Sequence, residues 1–138
     1  MIIPNLMVTD MPRSIAFYRD VLGMKLTLMV SSDKQVMSEG NGENAAFATL
    51  EWDGDQLMLQ TVGSLSAELD VFDGGRKPSP SGTINFRDIH PDKVLDRVTK
   101  DQIVKGPFLQ WYGMIEIYLR DPDGYIICVG APEGAAPQ

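Results

Sequence analysis

The chain runs twice through one order of elements, a strand, a helix and then three strands. A repeat of this kind constrains the fold more than composition does. Residues 2–9 read as a strand that TDMP (9–12) stops. Asp10 suits an N-cap, and Pro12 sits in the first turn, where its missing N–H costs nothing. Met11, Ile15, Tyr18 and Leu22 recur at helical spacing, and Gly23 supplies a stop. A second strand is expected over 25–30. SEGNGEN (38–44) is a polar loop, and strands at 46–52 and 56–62 meet at DGD (53–55), a hairpin signal.

The second copy follows a linker. Residues 64–72 suit a short helix, and GGRKPSPSG (74–82) is rich in Gly, Pro and Ser. Residues 83–87 then read as a strand, and 91–100 as a helix with Val94, Leu95 and Val98 inward. A short strand at 103–104 precedes the irregular aromatic stretch GPFLQWYG (106–113). Strands at 114–120 and 125–129 form a hairpin around DPDG (121–124), where Pro122 and Gly124 are typical turn residues. The expected organisation is a single domain with module one at 1–63, a linker at 64–82, module two at 83–132 and a frayed tail at 133–138. Pro12 and Pro91 open equivalent helices, and Gln60 and Cys128 occupy equivalent points on the last strands. The fold class is therefore α+β, two βαβββ modules forming a curved, mostly antiparallel sheet around a cavity.

Composition narrows the partners. The chain has 138 residues, 43% of them hydrophobic and 22% charged, with a formal net charge of −7. No basic cluster stands out beyond Arg76-Lys77, so no nucleic-acid partner is expected. Apolar runs fall well short of the ~20 residues that cross a bilayer, and no membrane partner is expected either. No basic n-region precedes an apolar stretch at the start, so no signal peptide is expected. The one cysteine rules out an internal disulfide and fits a reducing cytoplasm.

Two stretches, IPNLMVTDMPRSIAFYRDVLGM (3–24) and WYGMIEIYLRDPDGY (111–125), resemble the vicinal oxygen chelate superfamily. That group includes glyoxalase I, extradiol dioxygenases, fosfomycin-modifying enzymes and bleomycin-resistance proteins. The similarity extends from Ile3 to about Gly130 and is closest in character to the bleomycin-resistance-like members. It implies paired βαβββ modules, often dimeric, with a ligand or metal site in the cupped sheet. Metal-dependent members carry four ligands, one on the first and one on the last strand of each module. Carried over by position, these fall on Ile3, Gln60, Thr83 and Cys128. Ile3 has no donor atom, Thr83 is a poor ligand and Gln60 a weak one. An open catalytic site needs about three protein ligands, so no cofactor is expected.

Fold alone does not decide function, so the residues are weighed singly. Cys128 is open to three readings, as metal ligand, nucleophile or buried filler, with pocket lining preferred. His90 precedes Pro91 and is read as flanking a helix. Glu116 and Tyr118 share one face of their strand, opposite the apolar Ile115, Ile117 and Leu119. A carboxylate there is either solvated or turned into the cavity. Trp111 and Tyr112 offer aromatic area for a planar ligand or for a module or dimer interface. Met58 lines the face that carries Gln60, and Asn85 offers an amide. The carboxylates of DPDG are read as turn residues, because the longer ligand series of a calcium loop is missing.

The resulting expectation is a metal-independent small-molecule binding protein, cytoplasmic and homodimeric, that sequesters an antibiotic or another planar compound. Its ligand contacts would come from Met58, Gln60, Asn85, Trp111, Tyr112, Glu116, Tyr118 and Cys128, with no catalytic residue. Two alternatives stand beside it. One is a lyase, isomerase or dioxygenase of the same superfamily using a divalent metal through an altered ligand set. The other is a non-catalytic interaction domain whose cavity is filled by its own side chains.

Overall fold

The computed structural model describes residues 1–73 and 75–133. Of the tail expected at 133–138, all but Glu133 lies outside the described residues. The chain divides into two compact units, Met1–Pro78 and Ser79–Gln138.

The first unit contains β1 (Asn5–Val8), β2 (Lys25–Ser31), β3 (Val36–Met37), β4 (Ala45–Trp52) and β5 (Asp55–Thr61), with helices α1 (Met11–Ala16) and α2 (Val62–Glu68). Its sheet has the order β1-β5-β4-β2-β3. β1 pairs parallel with β5, and the other pairs are antiparallel. The first helix begins as the sequence suggests. Asp10 accepts a hydrogen bond from the Arg13 N–H at 3.1 Å, and Pro12 lies in the first turn. Beyond Ala16 it continues as a π-helical turn, Phe17–Val21, so the apolar stripe from Met11 to Leu22 is not wound as one regular α-helix. Val8, Met29, Ala48, Leu50, Leu57 and Leu59 are buried, as are Ile15 and Tyr18, and α1 packs on β4 and β5. The β4–β5 turn uses Asp53 at φ +50° and Gly54 at φ +87°. Positive φ at both central residues is the type I′ pattern, whose twist matches the flanking strands. The helix α2 falls in the stretch expected as linker, but it packs on β1, β4 and β5 of the first unit.

The second unit holds β6 (Thr83–Arg87), β7 (Ile103–Leu109), β8 (Met114–Arg120) and β9 (Ile126–Pro132), in the order β6-β9-β8-β7. With β3 set aside, both sheets have the same plan, the first strand lying parallel to the last and the middle strands antiparallel. The helix expected over 91–100 is absent as such. Three short 3-10 turns replace it, Pro91–Lys93, Leu95–Arg97 and Lys100–Gln102. Asp92, Val94, Asp96, Val98 and Thr99 are all below-average helix formers, and the Asp and Thr side chains compete for backbone hydrogen bonds. What the segment must supply is a few apolar contacts, and Pro91 and the fully covered Val94 supply them. Residues 103–109 form one strand with register shifts, where the sequence suggested a short strand and then an irregular stretch. The β8–β9 turn is closed by Asp121, whose Oδ1 accepts from the N–H groups of Asp123 and Tyr125 at 2.9 and 2.8 Å.

The second unit's core lies on one sheet face, where Ile117, Leu119, Ile127 and Val129 are fully buried. Replacing Ile117 by Ala leaves a cavity there and should cost about 2–5 kcal/mol. Chemical denaturation should show that loss, with the far-UV spectrum of the native state unchanged.

Candidate functional site

Alternation along β8 sends Ile115, Ile117 and Leu119 to one face and Glu116 and Tyr118 to the other. Opposite residues of paired strands share a face. Glu116 therefore stands with Gly130 and Arg87, and Tyr118 with Cys128 and Asn85. Glu116 is completely buried. A carboxylate out of water is costly unless its oxygens are satisfied, and here three side chains satisfy them. Gln110 Nε2 donates to Oε1 at 2.8 Å, while Arg87 Nη1 and the Tyr112 hydroxyl donate to Oε2 at 2.6 and 2.7 Å. Gly130 makes room for this cluster, since a Cβ there would lie 2.9 Å from Glu116 Cγ and 3.5 Å from Arg87 Nη1.

The electrostatics follow from these partners. Burial pushes the Glu116 carboxyl up. The hydrogen bonds from Tyr112, Arg87 and Gln110 and the charge of Arg87 outweigh it, so the group is held below its ordinary range and is ionised. The hydrogen bond to Glu116 raises the Tyr112 phenol, with burial acting in the same sense. Burial pushes the Cys128 thiol up and the negative charge of Glu116 adds to it, against smaller opposing effects of Arg87 and Tyr118. Cys128 is thus a covered, protonated thiol against the Tyr118 hydroxyl, and the nucleophile reading loses its thiolate.

The remaining predicted residues fall in different places. Asn85 is exposed, its amide 3.4 Å from the Thr83 hydroxyl. Trp111 is 86% exposed on the turn after β7, edge-on to Tyr112 with ring centroids 5.3 Å apart. Phe108 and Tyr118 stack at 6.3 Å. Met58 and Gln60 belong to the first unit. There the Gln60 amide is buried and occupied. Its Oε1 accepts from Asn5 Nδ2, and its Nε2 donates to Ser64 Oγ and Glu68 Oε2, each at 2.9 Å. Two open hollows of about 700 and 790 Å3 in this unit border Ser32, Ala46 and Thr61 and reach neither Met58 nor Gln60. His90 caps the 3-10 turn at Pro91, its Nδ1 accepting from the Asp92 N–H at 3.2 Å, which leaves Nε2 to donate to Glu133 at 2.7 Å.

Five residues of these clusters were not singled out from sequence: Arg87 and Gln110 around Glu116, and Asn5, Ser64 and Glu68 around Gln60. The alternation that placed Thr83 and Asn85 on one face also puts Arg87 there, so that signal existed. Nothing local marks Gln110. Asn5, and not Ile3, stands beside Gln60, because Ile3 precedes β1.

A divalent metal does not fit the positions that the resemblance implies. Ile3 offers no donor, the Gln60 oxygen is taken by Asn5, Thr83 is a neutral hydroxyl and Cys128 resists ionisation. Among the described residues no group of three or more His, Cys, Asp or Glu side chains is placed to hold a metal ion.

With the shared plan of the two sheets in view, the family model that matches the chain is decisive. It is the Glyoxalase/Bleomycin resistance protein/Dioxygenase superfamily, and it matches residues 3–129. The chain belongs to this superfamily. Solved structures of similar fold include a glyoxalase/bleomycin resistance protein/dioxygenase from Nocardioides, 21% identical with a TM-score of 0.64, covering 99% of this chain and 85% of that one. A family enzyme from Burkholderia phytofirmans PsJN is 14% identical with a TM-score of 0.68, covering 95% and 97%. An integron cassette protein from the mobile metagenome of V. cholerae is 27% identical with a TM-score of 0.60, covering 94% and 91%. No curated protein matches the chain significantly. Among the described residues no helix is long and apolar enough to cross a membrane.

Two measurements check this site. Glu116→Gln removes a charge from three donors and should cost about 1–3 kcal/mol at neutral pH. Because the folded carboxyl is held low, the stability it contributes is complete above its unfolded pKa of about 4.3 and is lost as pH falls below that value. Acid titration of stability should therefore be shallower in Glu116→Gln than in the parent. Cys128 in the native protein should resist iodoacetamide at neutral pH and react fully once urea unfolds the chain.

Proposed function

We propose that the protein binds a planar small molecule without a metal and holds it unchanged, as a sequestering member of its superfamily. The observation that carries this reading is the polar cluster around Glu116. Three side chains are fixed by one buried carboxylate on a sheet face that also bears the stacked Phe108 and Tyr118. Tyr112, locked to Glu116, stands beside the exposed Trp111. Rings held this way offer contact area at little cost in side-chain entropy. The poor fit of a metal at the carried-over positions supports binding over metal catalysis, and the protonated, covered Cys128 supports a lining role over a covalent one. A homodimer, as the superfamily suggests, and a cytoplasmic location, with which the single buried thiol agrees, belong to the same reading.

The test is a fluorescence titration with planar aromatic compounds in the presence of EDTA. Saturable quenching should occur, should be largely lost in Trp111→Ala while Trp52 remains, and should not change when divalent metals are added. The compound should be recovered intact after long incubation. Binding that requires an added metal, or conversion of the compound, would overturn the reading.

A further inference from the structure

We propose that the ligand is an anion, a planar aromatic carboxylate or similar oxyanion, and that Arg87 is the residue that recognises it. This rests on the binding reading above and specifies the charge of what is bound. Glu116, the obvious acidic group of the face, is not available to a cationic ligand. It is covered, and its two oxygens already accept from Gln110, Arg87 and Tyr112. A cation would have to displace Arg87 to reach it.

Arg87 is placed differently. A guanidinium has five N–H donors in a rigid fork, and Arg87 gives Nη1 to Glu116. Among the described residues Glu116 is the only side chain that hydrogen-bonds the guanidinium. The Arg87 side chain is 49% exposed, whereas that of Glu116 is 1% exposed. The buried carboxylate thus acts as an anchor that orients the guanidinium and leaves about half of the Arg87 side chain exposed. A planar carboxylate can take two parallel N–H bonds from such a fork. Gly130, opposite both groups, puts no side chain over them.

The charges of the face agree. By strand alternation the positions facing with Glu116 also carry Arg87, Arg120 and Lys105, three cations against one carboxylate in a chain of net charge −7. Asp101, in the turn before β7, stands near enough to Arg120 to feel its charge. Arg87 and Lys105 still outnumber Glu116. Lys105 Nζ lies 4.5 Å from the centre of the Phe108 ring, itself stacked on Tyr118, so positive charge and aromatic surface occur together. An aromatic anion matches both.

The test uses three probes of one shape and different charge: 2-naphthoate, 2-naphthamide and 2-naphthylmethylammonium, titrated into the intact protein. The carboxylate should bind at least about tenfold tighter than the amide, the size expected for charge-assisted hydrogen bonds. That preference should shrink as salt is raised. Arg87→Gln should abolish it, and Arg87→Lys, which keeps the charge opposite Glu116 but not the fork, should retain part of it. A thermal melt of each variant establishes that it is folded, and the wild-type charge series decides the matter by itself. If the amide or the ammonium binds as tightly as the carboxylate, or the preference survives in folded Arg87→Gln, the anion proposal falls and the binding reading stands. If none of the three binds, both fall.

Discussion

β6 lies parallel beside β9 from Thr83 to Arg87, and β1 lies parallel beside β5 in the same manner. A parallel neighbour cannot be reached by a tight turn, so the first and last strands of each unit are joined through all the elements between them. Everything of interest in each unit depends on that closure. It brings Asn5 to Gln60, 55 residues later in the chain, and Arg87 to Glu116, 29 residues later. The apolar faces on the other side of each sheet make the closure favourable, and the polar clusters are placed by it.

Within the second unit, closure turns a sequence of ordinary residues into an ordered set of charges. Glu116 would be a liability on a buried strand position if Arg87, Gln110 and Tyr112 did not converge on it. Once they do, the carboxylate spends its hydrogen-bonding capacity holding them still. Recognition then passes from the buried group to the half-exposed one. The first unit shows the same economy with a neutral group, the Gln60 amide being tied to Asn5, Ser64 and Glu68. In both units the residue that looked like a ligand contact from its strand position is occupied by the protein's own side chains.

Much of the fold is legible in residue type and local spacing. Period-two alternation marks 114–120 as a half-buried strand. DGD and DPDG mark hairpins by their demand for special backbone angles, and TDMP marks a helix start by its cap and proline. The segment after Pro91 misled because Val94, Leu95 and Val98 have helical spacing, while its Asp, Thr and β-branched residues favour tight turns, and the packing required only Pro91 and Val94. The π-helical turn at Phe17–Val21 is likewise invisible in an unbroken apolar stripe.

The sequence by itself determined the repeat, the strand faces and the poverty of metal donors, because each of these depends on which residues occur and how they are spaced along the chain. It also marked Glu116 as a carboxylate facing away from the apolar side. Which groups answer that carboxylate was decided only by tertiary structure. Arg87 comes from a strand paired through β9, Tyr112 and Gln110 from a turn at the end of β7, and no periodicity in the chain links them. Burial and partner geometry set the ionisation of Glu116 and keep the Cys128 thiol protonated, and both are properties of neighbours far away in sequence.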